Sequence, residues 1–246
     1  MTVDFFKQKY GHEVAGLWMP RVTAITSFVS KNNVFWGKSG TDWGTLVHKA
    51  VAKLLQGESN MQEPRILPSL NAFLEWQRAV AFEVLNPKED VERLVVDEEH
   101  MYAGTIDVAG MVHGVFGLVD LKTSSGMREE YALQTAAYVN AYNKSAQRTK
   151  LCKTRWILRI DQYAKCQGCF AKQRERDESG RVLEGNPLCN HVWGPQQGQV
   201  EFKELENHEH DLQAFLSAKE VWEWYNRDWL GKITNYPRKT TQKILL

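Results

Sequence analysis

YAGTIDVAGMVHGVFGLVDLKTS, residues 102–124, decides how the chain is read. On both sides of His113-Gly114, apolar residues recur with the period of a half-buried strand. Histidine tolerates a positive φ better than most residues and glycine adopts it freely, so His113-Gly114 suits a two-residue hairpin turn. With those two in the turn, Val112 pairs with Val115, and the same register sets Asp107 opposite Asp120. Opposed like charges destabilise a sheet by a few tenths to ~1 kcal/mol when exposed, and by more when buried. A cation between them removes that objection. Mg²⁺ characteristically takes one or two carboxylates, with waters and substrate phosphates completing its shell. Lys122 follows Asp120 by two residues, so its amine shares that face. A D-x-K tripeptide alone is an ordinary surface ion pair; the opposed Asp107 is what gives it weight. Two carboxylates, an amine and a divalent ion suit metal-assisted hydrolysis, with the lysine orienting a water or stabilising developing charge.

Around this hairpin the pattern is that of a mixed sheet with helices packed on it. Asp42 or Thr45 can cap a helix to about Gln56, with Val47, Val51, Leu54 and Leu55 at helical spacing. Residues 69–85 read as a second helix, stopped by Asn86-Pro87. VERLVVDEE precedes the hairpin as a strand, and residues 128–144 follow it as a helix. TRWILRID and QVEFKEL read as strands, and a helix from about His210 to Trp229 closes the chain. Residues 22–30 fit a short strand or a helix start equally well.

Four ordered motifs resemble those of a known family. Gly104-Thr105-Ile106-Asp107, Asp120-Leu121-Lys122 and Gln134-Thr135-Ala136-Ala137-Tyr138 are similar to the G-x-x-D, D-x-K and Q-x-x-x-Y motifs of the PD-(D/E)xK nuclease superfamily, in its RecB-like exonuclease branch. Upstream, Gly44-Thr45-Leu46-Val47-His48 resembles that branch's G-T-x-x-H helix motif, so the likeness covers about residues 44–142. The strand and helix downstream also resemble small phage-type and mitochondrial-genome-maintenance-type exonucleases. The resemblance implies an α/β, restriction-endonuclease-like fold: a mixed β-sheet flanked by helices in a single domain over 1–246. It implies that Asp107, Asp120 and the carbonyl of Leu121 ligate Mg²⁺ or Mn²⁺, that His48 adds a contact, and that Lys122 is the catalytic amine. Gln134 and Tyr138, on one helix face, would position substrate or the lysine. Glu92 matches an acid often found on the preceding strand, although Glu98 and Glu99 compete for that role. Lys53 departs from the pattern, because relatives often carry an acid near there. The implied activity is a Mg²⁺/Mn²⁺-dependent DNA exonuclease, leaving 5′-phosphates by a two-metal mechanism, in recombination, repair or replication, with a phage or mobile element as one setting. The alternatives are an endonuclease of the same superfamily, or a zinc-stabilised nucleic-acid-binding module on an inactive nuclease fold.

A second constellation is Cys166-Gln167-Gly168-Cys169 with Cys189-Asn190-His191. This C-x-x-C knuckle and C-x-H pair offer three thiols and an imidazole, a set suited to tetrahedral Zn²⁺. It defines a knuckle-like insertion over 163–196 between two strands, folded by metal because its loop is too charged to fold on apolar contacts. Lys165, Lys172, Arg174 and Arg176 lie on or beside it and are candidates for gripping a DNA backbone. Some nuclease relatives hold an iron–sulfur cluster on four cysteines. That assignment is less favoured here, because a strand at ~3.3 Å per residue carries Cys152 about 30 Å from Cys166. Unmetallated thiols are the remaining option.

The 246 residues carry a formal net charge of +1, which excludes a globally basic nucleic-acid coat. Charge is nevertheless segregated: residues 83–99 hold seven acids and two bases, and residues 144–176 hold ten bases and two acids. That is a solvated surface or a phosphate-binding patch beside a carboxylate pocket. Residues 1–12 lack a signal-peptide apolar run, and no stretch approaches ~18 consecutive apolar residues. An intracellular protein, cytoplasmic or nucleoid-associated, is expected, with DNA as partner and no membrane contact. The final helix carries Trp222, Trp224, Tyr225 and Trp229, which suits core packing or base stacking. Asp211 is expected to cap it.

Overall fold

A computed structural model describes residues 1–30, 38–58, 63–145, 150–174 and 180–237. The chain opens with α1 (Val3–Tyr10), a hairpin of β1 (Gly11–Val14) and β2 (Leu17–Pro20), and α2 (Val22–Val29). Next come α3 (Lys38–Leu55), α4 (Leu67–Ala79) and the single turn α5 (Pro87–Asp90). The central strands are β3 (Val91–Asp97), β4 (Tyr102–Val112) and β5 (Val115–Lys122), followed by α6 (Glu130–Ser145) and β6 (Thr154–Cys166). Two short strands, β7 (Lys172–Arg174) and β8 (Arg181–Leu183), precede β9 (Trp193–Glu204), α7 (His208–Tyr225) and α8 (Arg227–Leu230).

The main sheet is mixed. β4 runs antiparallel to both β3 and β5, β5 and β6 run parallel with α6 as the crossover, and β9 returns antiparallel along β6. Helices cover both faces. On one face, Ile106, Leu118, Tyr138, Val22, Phe215 and Trp222 form a core joining β4, β5, α6, α2 and α7. On the other, Val47, Val51, Phe73, Trp76, Val119 and Leu158 join α3 and α4 to the sheet. Two buried apolar clusters on opposite sheet faces define three layers, α/β/α.

Several expectations shift. α3 begins at Lys38, so Asp42 and Thr45 lie inside the helix rather than at its cap. α4 ends at Ala79, well before Asn86-Pro87, because Ala81 takes a φ of 47° and turns the chain back. That turn brings Phe82 against Trp76 and lets Glu83 bridge Met111 beside the hairpin. Residues 22–30 contain a helix, and α1, β1 and β2 were not anticipated. Asp211 does not cap α7; the cap residue is Asn207, and Asp211 pairs with the buried Arg155. A buried guanidinium needs a carboxylate more than a helix end needs a cap. Trp222 is core and Trp229 stacks on Phe6, whereas Trp224 and Tyr225 are exposed.

Close approach explains Gly198. A Cβ there would overlap the Pro68 carbonyl and crowd the Ala72 methyl, so glycine lets α4 seat on β9. By contrast, Gly16 in the β1–β2 turn has open space and only a positive φ of 79°. Gly198→Ala is expected to cost about 2–3 kcal/mol by overpacking, and Gly16→Ala about 1 kcal/mol by backbone strain. Chemical denaturation of both variants checks the ranking.

Candidate functional site

The hairpin turn is at His113-Gly114, with φ of 47° and 79°, and the ladder runs from Val112↔Val115 to Val108↔Val119. The next position in that register sets Asp107 against Asp120, and there the ladder stops. Instead of continuing the strand pairing, the Asp107 carboxylate accepts the Leu121 N–H at 2.7 Å.

Side-chain alternation breaks at the same point. Ile106 lies in the core on the α6 side and Val108 in the core on the α3 side, though residues two apart in a regular strand share a face. β3 breaks opposite. Its register with β4 sets Glu92 across from Asp107, and Glu92 has a φ of 52°, rare for a non-glycine residue. Val91 and Val95 consequently fall in different cores. β4 therefore parts from β5 at Asp107 and leaves carboxylates in the gap.

α3 closes one side of this gap. His48 Nδ1 lies 2.9 Å from Asp107 Oδ1. His48, Glu92 and Asp107 each bring a ligand atom within 4.8 Å of the others. A cleft of about 580 Å³ opens there, lined also by Gly44, Thr45 and Lys53. Gly44 is small for a reason: a Cβ would sit 3.0 Å from Thr123 Oγ1, just past Lys122.

α6 supplies the other side. Lys122 Nζ lies 2.6 Å from Asp120 Oδ2 and donates to Gln134 Oε1 at 3.2 Å. Gln134 Nε2 in turn donates to Asp120 Oδ1 at 3.2 Å and to the Tyr138 hydroxyl at 3.3 Å. Asp120 Oδ2 has no well-directed hydrogen bond despite the nearby ammonium, and Asp120 is 1% exposed. Tyr131, one helical turn before Gln134, places its ring 4.8 Å from Lys122 Nζ. Tyr131 is not among the site residues named from the sequence; its spacing from Gln134 was the available signal.

The charges are strongly interdependent. Burial pushes the Asp120 carboxyl up to about 6; Lys122 opposes the rise and the Asp107 charge adds to it. Burial would also raise Asp107, but His48, Lys122 and the Leu121 N–H outweigh it and hold Asp107 below the usual range. Burial would lower His48, yet Asp107 more than offsets this and its pKa is raised. Lys122, likewise opposed by burial, is raised by Asp120 and Asp107. Glu92 is raised by burial and then by Asp107. Acids crowded this closely are a donor set that fits a hard divalent cation.

Sequence-named residues thus fall into three groups. Asp107, His48 and Glu92 meet in one tight group. Asp120, Lys122, Gln134 and Tyr138 form an adjoining network outside it, coupled to it through Asp107. Leu121 contributes its N–H to Asp107, and its side chain is core. Of the competing acids, Glu99 pairs with Lys144 at 2.7 Å, in a separate cluster with Asp97 and His100.

The cysteines form a second centre. Cys166, Cys169, Cys189 and His191 bring ligand atoms within 4.8 Å of one another, compatible with zinc. Cys166 Sγ lies 3.9 Å from Cys189 Sγ, and Cys169 Sγ 3.4 Å from His191 Nδ1. Tetrahedral zinc at ~2.3 Å from sulfur and ~2.0 Å from nitrogen needs edges of about 3.8 and 3.5 Å. A disulfide would need about 2.05 Å. Burial would raise the Cys166 thiol, but N–H groups of Cys169, Gly168 and Val192 and the His191 ring hold it down at about 6. Cys189, raised by a hydrogen bond with Cys169 and further by burial and Cys166, is pushed up to about 11. Cys152 is buried in the α6-side core instead, and burial pushes it up to about 12.

The basic run is largely consumed internally. Arg155 pairs with Asp211, Arg159 with Asp161 and Glu201, Arg174 with Asp161, and Lys144 with Asp97. Lys172 is 3.6 Å from Glu184, and the exposed Lys165 sits over the Phe170 ring. Arg176 lies outside the described residues. Among the described residues, no helix is long and apolar enough to cross a membrane. Comparison with known proteins returns no matching family model and no matching curated sequence.

Because Asp120 must ionise to bind a cation, Mn²⁺ affinity is expected to rise with pH through about 6. At pH 5 about a tenth of the carboxyl is ionised, so binding is at least about tenfold weaker than at pH 7, and His48, whose pKa is also raised, adds to the protons released per ion. Isothermal titration in two buffers measures both. Asp120→Asn reduces this dependence to the part that His48 contributes.

Proposed function

We infer that the chain is a metal-dependent nuclease that hydrolyses DNA phosphodiesters, most naturally as an exonuclease. The observation that carries this reading is the convergence, at the end of β5, of the buried Asp120 carboxylate with the partly buried Asp107 carboxylate and Lys122 ammonium, in a gap where strand pairing fails. Asp107 has a structural task in accepting the Leu121 N–H, but packing alone does not account for an acid and an ammonium at Asp120 and Lys122 beside it, since a buried ion pair is often no more stabilising than apolar residues. The motif resemblance supplies the reaction class, the two-metal scheme and 5′-phosphate products.

Asp107, Asp120 and His48 would hold Mg²⁺ or Mn²⁺, with Glu92 beside them. Bound there, the ions would supply Lewis acidity and an acidified water. The chain's own groups do the rest. The Lys122 ammonium, pinned between Asp120 and Gln134, donates toward the water or a non-bridging phosphoryl oxygen. Gln134 bridges Lys122, Asp120 and Tyr138, so it fixes the amine's direction. Tyr131 flanks the amine and limits its swing. The cysteine cluster would hold zinc as a structural ion, folding the excursion between β6 and β9.

The test uses linear and covalently closed circular DNA with Mg²⁺. The linear form is expected to be degraded, with Asp120→Ala and Lys122→Ala each lowering the rate by at least about a hundredfold. Full activity in Asp120→Ala, or no degradation of either substrate, rejects the reading. Cleavage of the circle assigns an endonuclease instead. For the second centre, Co²⁺ substitution is expected to give the visible bands of tetrahedral thiolate coordination at one ion per chain, lost in Cys189→Ser. Their absence removes the zinc assignment.

A further inference from the structure

Lys122, the last residue of β5, pairs with Arg159 of the parallel β6. β6 does not stop there. It runs seven residues further to Cys166, with β9 alongside it up to Trp193. At ~3.3 Å per residue the arm carries the cysteine cluster about 23 Å past the level of Lys122. It projects from the end of the sheet that bears the carboxylates.

The tip of this arm displays apolar side chains. Phe170 directly follows Cys169, is 65% exposed and has a φ of 63°. A bulky aromatic residue in left-handed backbone is a true outlier and costs of order 1–3 kcal/mol. The knuckle imposes this conformation: Phe170 N–H bonds the Cys166 carbonyl and Cys166 N–H bonds the Ala171 carbonyl. Leu188, one residue before Cys189, is 90% exposed, and Val192, one after His191, is 60% exposed. Each side chain flanks a cluster residue. Lys165 holds its ammonium 4.9 Å from the Phe170 ring centre.

We propose that this tip is a nucleobase-stacking contact for an unpaired stretch of the substrate strand, with Phe170 as the platform, the exposed Leu188 of the same cluster as a second apolar contact and Lys165 on the adjoining phosphate. The proposal rests on the nuclease reading for its ligand class. An exposed ring presents two sequence-tolerant π-faces; the Lys165 ammonium lies over one of them, leaving the other for a base, and its long stem lets it swing to the phosphate of the stacked nucleotide. The arm's direction favours nucleic acid over a protein partner, because a strand leaving the carboxylate gap along β6 meets the tip after about seven base steps at ~3.4 Å. The strain at Phe170 is what displaying the ring costs.

The experiment uses the full chain with its cysteine-bound metal and no added Mg²⁺. Fluorescence anisotropy with labelled oligodeoxythymidine of 20 nucleotides reads affinity, and 5-iododeoxyuridine crosslinking maps the contact. Phe170→Ala is expected to weaken binding about tenfold, Phe170→Trp to restore it, and Lys165→Ala to weaken it and flatten its salt dependence. Leu188→Ser, at a position too exposed to unfold the arm, also weakens it. Metal content by mass spectrometry stays at the wild-type level in all four. Wild-type affinity in Phe170→Ala with metal retained overturns the proposal, as do crosslinks confined to residues outside 163–192. Self-association that Phe170→Ala abolishes, without an effect on the oligonucleotide, also overturns it. A tip-dependent affinity in a protein that hydrolyses nothing sustains the stacking contact and defeats the nuclease reading. Hydrolysis with tip-independent binding does the reverse.

Discussion

A carboxylate takes the place of a strand at one point in this sheet. Where β4 should continue along β5, Asp107 accepts the Leu121 N–H with its side chain. That single substitution lets β4 leave β5 without stranding a buried donor, which would cost ~1–3 kcal/mol. Everything at the site follows from it. The gap admits His48 from α3 and Gln134 from α6, one from each helical layer. Glu92, opposite Asp107, takes up the bend in β3 with its left-handed backbone. Unlike His113 in its turn, Glu92 carries that conformation within a strand, beside the carboxylates.

The electrostatics show the same economy. Asp120 is nearly inaccessible and its carboxyl is raised to about 6, while Asp107 is held down by His48, Lys122 and a backbone amide. In the proposed site, two neighbouring acids with opposite shifts would share a cation without both being fully ionised beforehand. Lys122 keeps its proton because both acids face it. The cysteine cluster follows a parallel logic: one thiol is lowered by backbone N–H groups while another is raised. A divalent ion would bring each set to a common ionised state.

Much of this was legible in the sequence, for physical reasons. The hairpin could be read because period-two patterning and a two-residue turn fix register together. The C-x-x-C and C-x-H spacings announced the cysteine cluster because backbone length keeps the ligands of each pair together, while the β6–β9 ladder brings the two pairs to one place. The break at Asp107 was not legible. It depends on which face each neighbour packs against, and Ile106 and Val108 are equally apolar. For the same reason Glu92 could not be separated from Glu98 and Glu99 until Lys144 was seen holding Asp97 and Glu99. The end of α4 was missed because nothing in Val80-Ala81-Phe82 signals a left-handed turn; the pull of Phe82 toward Trp76 is a tertiary effect. The basic run over 144–176 suggested an open phosphate-binding face, whereas buried Arg155 and Arg159 answer Asp211 and Asp161.

The central claim is that Asp107 and Asp120 face one divalent ion across the gap between β4 and β5. Crystals soaked in manganese, with diffraction collected at the manganese absorption edge, test it most directly. The account predicts an anomalous peak within about 2.2 Å of oxygens from both carboxylates, with a His48 nitrogen close by. A peak bound elsewhere, or none at the gap while the two side chains point to separate surfaces, would contradict it.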